Sequence, residues 1–265
     1  MRSSESILSA HNSIYNYLTM TKDNAPYLSI VFPAHNEEAR LLSALTAVDG
    51  YLKKKAFAAE VVVVENASTD ETLSIANAFA ASHAYVTVLH SDTPGKGLAV
   101  QKGVLAARGQ FRFICDVDLS MPVEEIDKFL PGAGEKYDIA IASREAKGAV
   151  RHDEPLYRHL IGRVFNGLVQ MLVLPDLNDT QCGFKCFSAE AAEKLFSRMT
   201  IPGWTFDVEI LAIARKMKLK VIEVPIHWYY HEHSKVHVMR DSLRMAMDLL
   251  IIRKNLRRGT YADPH

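Results

Sequence analysis

From Tyr27 to Arg144 the chain alternates short apolar runs with stretches of helical spacing. "YLSIVFPA" (27–34) has the content of a buried strand, and Leu41, Leu45, Val48 and Leu52 then recur at three- and four-residue intervals. Val61 to Val64 in "AEVVVVENAS" restart the pattern, with Ser68 or Asp70 placed to cap a helix through "DETLSIANAFAAS". "AYVTVLH" leads into a glycine-broken loop, "SDTPGKG", and a helix through "LAVQKGVLAARG"; "QFRFICDVD" and "YDIAIASR" (137–144) supply two more strands. Strands alternating with helices predict an α/β fold, a doubly wound and mostly parallel sheet with right-handed crossovers and flanking helices. Ligands of such sheets sit beyond the carboxyl ends of the strands. "PAHNEE", "ENASTD", "DVDLS" and "SRE" all fall there, so four loops are expected to converge on one crevice.

Beyond residue 150 the rhythm changes to a long helical stretch from about Leu156 to Leu174, then "PDLNDTQCGFKCF", a helix near 189–198, "GWTFDVEILAIARKMK" and the strand "KVIEVPIHWYY". No Gly-, Ser- or Pro-rich linker divides the halves. One domain is therefore expected over 26–255, with a polar extension over 1–25 and a basic, polar tail over 256–265. With 265 residues, 48% of them hydrophobic, the chain can bury a large core. Lys+Arg and Asp+Glu both number 31, which gives no overall field for a nucleic-acid partner and confines any electrostatic role to a local cluster. Three cysteines support neither a disulfide framework nor a complete zinc site, and no run of about 18 apolar residues occurs. The expectation is a cytoplasmic protein, peripheral at most to a membrane face.

"RFICDVDLSMP" places Asp116 and Asp118 at positions i and i+2, where extended backbone points both carboxylates the same way. Holding both ionised calls for a cation, and a hard divalent ion carrying a diphosphate would supply one. A helix start at "MPVEEIDKFL", capped by Asp118 or Ser120, accounts for the same residues. Lys96, between Gly95 and Gly97, can reach an anion or simply begin a helix. The loop lacks Walker A spacing, and no Gly-x-Gly-x-x-Gly follows the first strand.

Taken in order, "SIVFPAHNEE", "VVVVENASTD", "GKGLAVQKGVLAARG", "DVDLSMP", "DTQCGFKCF", "GWTFDVEIL" and "EVPIHWYYHEHSKV" resemble an inverting family 2 glycosyltransferase of the GT-A fold. Within that family the resemblance points to the branch of dolichyl-phosphate β-glucosyltransferases and related polyprenyl-phosphate sugar synthases. It implies that Pro33, His35 and Glu37 sit by the nucleoside of a UDP- or GDP-hexose donor, with Val64 and Asn66 along the base and Lys235 reaching the phosphates. It assigns Asp116, Val117 and Asp118 to the diphosphate and a Mg²⁺ or Mn²⁺ ion, with Ser120 completing the metal shell. Asp179 matches the catalytic base or acceptor-orienting residue, a cap or turn aspartate beside Asn178 being the alternative; Trp204 and Asp207 are expected to shape the sugar and acceptor pocket, or Trp204 to pack in the core. Where similar enzymes usually carry two aspartates, this chain has Glu65 and Asn66.

Arg144 is the candidate clamp for an acceptor phosphate, because guanidinium binds phosphate oxygens in a fork. Arg158 and Arg163 either extend that patch or form a solvated helix face. The implied acceptor is a dolichyl or undecaprenyl phosphate receiving glucose or mannose. A soluble glycan or small-molecule hydroxyl, and a sugar-nucleotide-binding protein without transfer, are the alternatives. His227, His231, His233 and His237 are either surface residues or include a metal ligand. Leu243, Met247 and Leu250 form a helical stripe followed by Arg253, Lys254, Arg257 and Arg258, suited to core packing or to an anionic membrane surface.

Overall fold

The computed structural model describes residues 25–131, 136–230 and 238–262. Strand β1 (Leu28–Ala34) pairs in parallel with β2 (Ala59–Asn66) on one side and β4 (Phe111–Ile114) on the other. β3 (Val86–Ser91) extends the sheet beyond β2; β7 (Lys185–Ser188), β5 (Ile139–Ser143) and β8 (Val221–Pro225) extend it beyond β4. The order is β3-β2-β1-β4-β7-β5-β8, and β7 alone runs antiparallel to its neighbours. This seven-stranded mixed sheet, with helices on both faces, has the expected doubly wound architecture.

Both faces of the sheet are covered, which is why β1 and β2 read as continuous apolar runs rather than alternating ones. Ile30 and Phe32 pack under α1 (Leu41–Leu52) and α2 (Thr72–Ser82), while Val31, Val62 and Val64 face α3 (Lys96–Ala106). On that second face the core continues through α4 (Leu156–Leu172), α5 (Ala189–Phe196), α6 (Phe206–Lys216) and α7 (Val238–Arg258). Gly103 lets α3 approach the sheet: a Cβ there would lie 2.4 Å from Val31 Cγ1 and 2.7 Å from Val64 Cγ2.

Some local expectations change. "MPVEEIDKFL" forms a 3₁₀ helix over Val123–Phe129, flanked by Pro122 and without a side-chain cap, so neither Asp118 nor Ser120 is used for capping it. At the start of α2, Asp70 Oδ1 accepts from the Thr72 amide at 3.0 Å, whereas Ser68 turns to the Asn36 amide. The boundary expected at 255 falls within α7, and Tyr261 is fully buried, its hydroxyl donating to Glu209 Oε1 at 2.7 Å. A parallel ribbon of β6 (Val150–His152) and β9 (His227–Tyr229) closes over the β4 loop, where the Tyr229 amide donates to the Ser120 carbonyl at 2.7 Å. No helix among the described residues is long and apolar enough to cross a membrane.

Candidate active site

Because the chain leaves β1 first toward β2 and later returns to its other side as β4, a crevice opens between their carboxyl ends. A cleft of about 500 Å³ lies there. It is lined by Pro33, His35, Glu37 and Asn66 from the first two strand ends, Lys96 from α3, and Asp116, Val117, Asp118 and Ser120 beyond β4. Arg144, Asp179, Trp204 and Asp207 complete the far wall. The backbone enters the left-handed region at Asn36 (φ 51°), Ala67 (φ 53°) and Leu119 (φ 45°), one in each of three strand-end loops. Such a conformation costs a non-glycine residue about 1 kcal/mol, and its clustering here is typical of a binding site.

Val64 does not join this set. It lies two residues before Asn66 on the same strand face, fully buried under α3, so its side chain fills core rather than facing a nucleobase. Lys235, His231, His233 and His237 fall outside the described residues. His227 is exposed in β9 and stacks with His152, their ring centroids 5.7 Å apart.

Lys96 Nζ bridges the Asp116 carboxylate at 2.9 and 3.0 Å and stands 4.9 Å from the centre of the Trp204 ring. Burial works to lower the lysine's pKa, but Asp116, Asp207 and Asp118 together raise it, so the side chain is a fixed cation. Asp118 Oδ1 accepts from the Ser120 amide at 3.0 Å. Its carboxyl is pushed above the ordinary range, first by burial and then by Asp116. Gly183 backs the pair: a Cβ there would lie 2.3 Å from Asp116 Oδ2 and 2.7 Å from its Cγ.

These two carboxylates suit a hard divalent ion. Among the described residues no cluster of three or more His, Cys, Asp or Glu could hold a metal, so Asp116 and Asp118 would leave most of the coordination shell to other oxygens. Mg²⁺ and similar ions accept this, retaining waters and phosphate oxygens on one or two carboxylates.

Across the cleft, Arg144 grips Asp179 through Nε (2.7 Å) and Nη2 (3.0 Å), and its backbone amide adds a third bond at 3.0 Å. Asp179 is buried; burial alone would raise its pKa, yet the guanidinium holds the carboxyl below the ordinary range. The Arg144 guanidinium also lies 5.4 Å from the Trp228 ring centre. Asp207 pairs with buried Lys185 at 2.8 Å, and burial raises its pKa despite that partner. Arg158 lines the cleft beside Tyr230, whereas Arg163 is exposed and pairs with Glu145 at 3.0 Å.

Asn66 organises the loop ahead of α3. Its Nδ2 donates to the Thr93 carbonyl at 2.6 Å, and its Oδ1 accepts from the Gly95 amide at 2.7 Å. His35 Nδ1 meets the Asn66 carbonyl at 2.6 Å. Glu65 turns away from the cleft, where it is buried against His90 and the Ser68 amide. Gly183, Lys185 and Trp228 are absent from the sequence-based set. The only linear signals for them were the positions of the first two within "DTQCGFKCF" and of Trp228 near the end of an apolar strand.

A doubly wound sheet with a partly buried acidic pair at its switch point is the architecture of the GT-A glycosyltransferases. The sequence pattern described as Glycosyl transferase family 2 matches residues 29–196, and the chain belongs to that family and is a glycosyltransferase. It is 31% identical to the dolichyl-phosphate beta-glucosyltransferase of Saccharomyces cerevisiae over 91% of this chain and 78% of that protein. With the human protein of the same name it shares 32% over 88% of this chain and 77% of that one. The glucosyl-3-phosphoglycerate synthase of Mycobacterium tuberculosis, solved with Mn²⁺, UDP-glucose and phosphoglyceric acid, superposes with a TM-score of 0.63 at 21% identity, covering 88% and 80% of the two chains.

Proposed function

We propose that this glycosyltransferase moves glucose from UDP-glucose to a polyprenyl phosphate with inversion at C1. The observation that carries this reading is the pairing of Arg144 with Asp179 opposite the Asp116–Asp118 pair in one cleft. A hydroxyl acceptor needs a general base, and Asp179, held ionised by a guanidinium with its pKa depressed, is a poor proton acceptor. A phosphate acceptor is already anionic near neutral pH and needs none. Asp179 is thus better suited to orienting Arg144 than to taking a proton. The Nε–Nη2 edge of Arg144 is spent on Asp179, which leaves the Nη1 edge to hold the acceptor phosphate.

On the donor side, Asp116 and Asp118 would hold Mg²⁺ or Mn²⁺, with Ser120 beside them. That ion supplies positive charge where the departing diphosphate becomes more negative. Lys96 adds a second fixed cation beside Asp116, and Trp204 restricts its position. The acceptor oxygen bonds to C1 as the bond from C1 to the diphosphate oxygen breaks, so the electron pair leaves with the nucleoside diphosphate. Pro33, His35, Glu37 and Asn66 would border the nucleoside. The dolichyl-phosphate beta-glucosyltransferase relatives support glucose and a prenyl phosphate as the pair transferred and accepted.

Incubation of the purified chain with labelled UDP-glucose, dolichyl or undecaprenyl phosphate and Mn²⁺ should yield an organic-extractable glucolipid that EDTA abolishes. Absence of product with UDP-glucose and with GDP-mannose, on either lipid, would overturn the reading.

A further inference from the structure

Helices α4 and α7 are apolar on two opposite faces. One face of each joins the core, through Phe165 and Val169 on α4 and Met245, Leu249 and Ile252 on α7. On the other, Leu156 (88% exposed), Leu160 (65%), Val164 (61%) and Met171 (71%) follow one another along α4 at helical spacing. Leu243 (68%), Met247 (53%), Leu250 (58%) and Ile251 (45%) do the same along α7. Single exposed apolar residues are ordinary, but eight on two adjoining helices mark an interaction surface.

Two observations choose its occupant. The α7 stripe continues at the same spacing into Lys254 and Arg257, both exposed, with Arg244 and Arg258 exposed beside it. An apolar stripe that turns basic suits a lipid interface, where long cationic side chains reach the headgroups while leucines enter the acyl boundary. The second observation is position: Arg158, His159, Ile161 and Gly162 of α4 also line the catalytic cleft. Whatever covers the stripe stands at the rim of that cleft.

We propose that the α4–α7 face docks on an anionic lipid surface, placing the cleft at headgroup depth. The proposal rests on the reading of the acceptor as a prenyl phosphate, whose phosphate would then meet Arg144 while its chain stays in the bilayer. The face supplies apolar contact and the basic end of α7 supplies attraction, so neither a span nor a large net charge is needed.

The test is sedimentation of the full chain with phosphatidylcholine vesicles and with vesicles that also contain phosphatidylglycerol. The unaltered protein should partition onto the mixed vesicles, less so in high salt, and the double variant Leu160→Glu/Leu250→Glu should bind about tenfold more weakly. Transfer to a short, water-soluble prenyl phosphate in lipid-free buffer should be unchanged in that variant, which also verifies its fold. Transfer to a long-chain acceptor in vesicles should fall. Equal vesicle binding by the variant overturns the proposal. So does a dimer, seen by light scattering and abolished in the variant, when the unaltered chain binds no vesicles. Loss of transfer to both acceptors in the unaltered chain would instead count against the acceptor reading, and sedimentation would still judge docking.

Discussion

Lys96 Nζ lies within 3.0 Å of both Asp116 carboxylate oxygens, so half of the acidic pair carries its own counter-ion. Lys96→Gln removes that cation and the charge that meets an incoming diphosphate. A hydrogen bond to a charged group contributes about 2 kcal/mol, so KM for the sugar nucleotide should rise roughly thirtyfold. Initial-rate kinetics at saturating acceptor check this, and an unchanged KM would remove Lys96 from the donor site.

Asp118 predicts a pH-dependent cost. Its folded pKa lies above the ordinary aspartate value of 3.8, because burial and Asp116 disfavour its ionised form. The folded chain therefore binds this proton more tightly than the unfolded chain. Stability falls as pH climbs from 3.8 through the folded value, and the penalty persists at neutral pH. Without divalent ions, Asp118→Asn should melt above the unaltered protein at pH 7 and not at pH 3. Added Mn²⁺ should raise the melting temperature of the unaltered protein alone.

The alternation from Tyr27 to Arg144 is legible because parallel strands buried on both faces must be apolar, and their ends must carry the polar chemistry. β7 is not legible: four residues beginning with a buried lysine carry no period, and Lys185 is tolerated because Asp207, far along the chain, pairs with it while the Cys182 carbonyl accepts a second hydrogen bond from it. The acidic pair stands out as a linear motif, whereas its support does not. Lys96 meets Asp116 across 20 residues, and Arg144 meets Asp179 across 35. Val64 shows the converse, since lying two residues before Asn66 in sequence says nothing of the helix that buries it.

Breaking the Arg144–Asp179 pair should cost stability as well as activity. Asp179→Asn leaves a largely buried guanidinium without its counter-charge, a loss of about 3 kcal/mol. Asp179 has a depressed pKa, so its stabilising contribution is present above 3.8 and disappears as pH falls through the folded value. The gap between the two proteins in denaturant titrations should therefore be full at pH 7 and close in strong acid. If Asp179 orients Arg144, the variant's KM for prenyl phosphate should rise with no new limb in the pH–rate profile. A new dependence on hydroxide would restore Asp179 as the base.

Gly183→Ala is a steric probe of the acidic pair. The added methyl would meet Asp116 Oδ2 at 2.3 Å, and the carboxylate has to move. Mn²⁺-dependent binding of UDP-glucose should weaken at least tenfold by calorimetry. Gly167→Ala on α4, where nothing lies within 4 Å, should instead stabilise the helix by about 0.5–1 kcal/mol and leave that binding intact. Equal binding by both variants would show that the site tolerates a displaced Asp116.

Asn66 separates two accounts of why this chain departs from the paired aspartates of similar enzymes. Its side chain both donates, to the Thr93 carbonyl, and accepts, from the Gly95 amide, and an ionised aspartate can only accept. Asn66→Asp places a carboxylate against a carbonyl oxygen and loosens the loop that presents Lys96. If Asn66 serves the loop, the variant should lose about 1 kcal/mol of stability, and KM should rise for UDP-glucose and for UDP alike. If it reads the base, stability should hold while the preference between UDP- and GDP-sugars shifts. Thermal melts and competition by the two nucleotides decide between them, and the two bonds to Thr93 and Gly95 favour the first outcome.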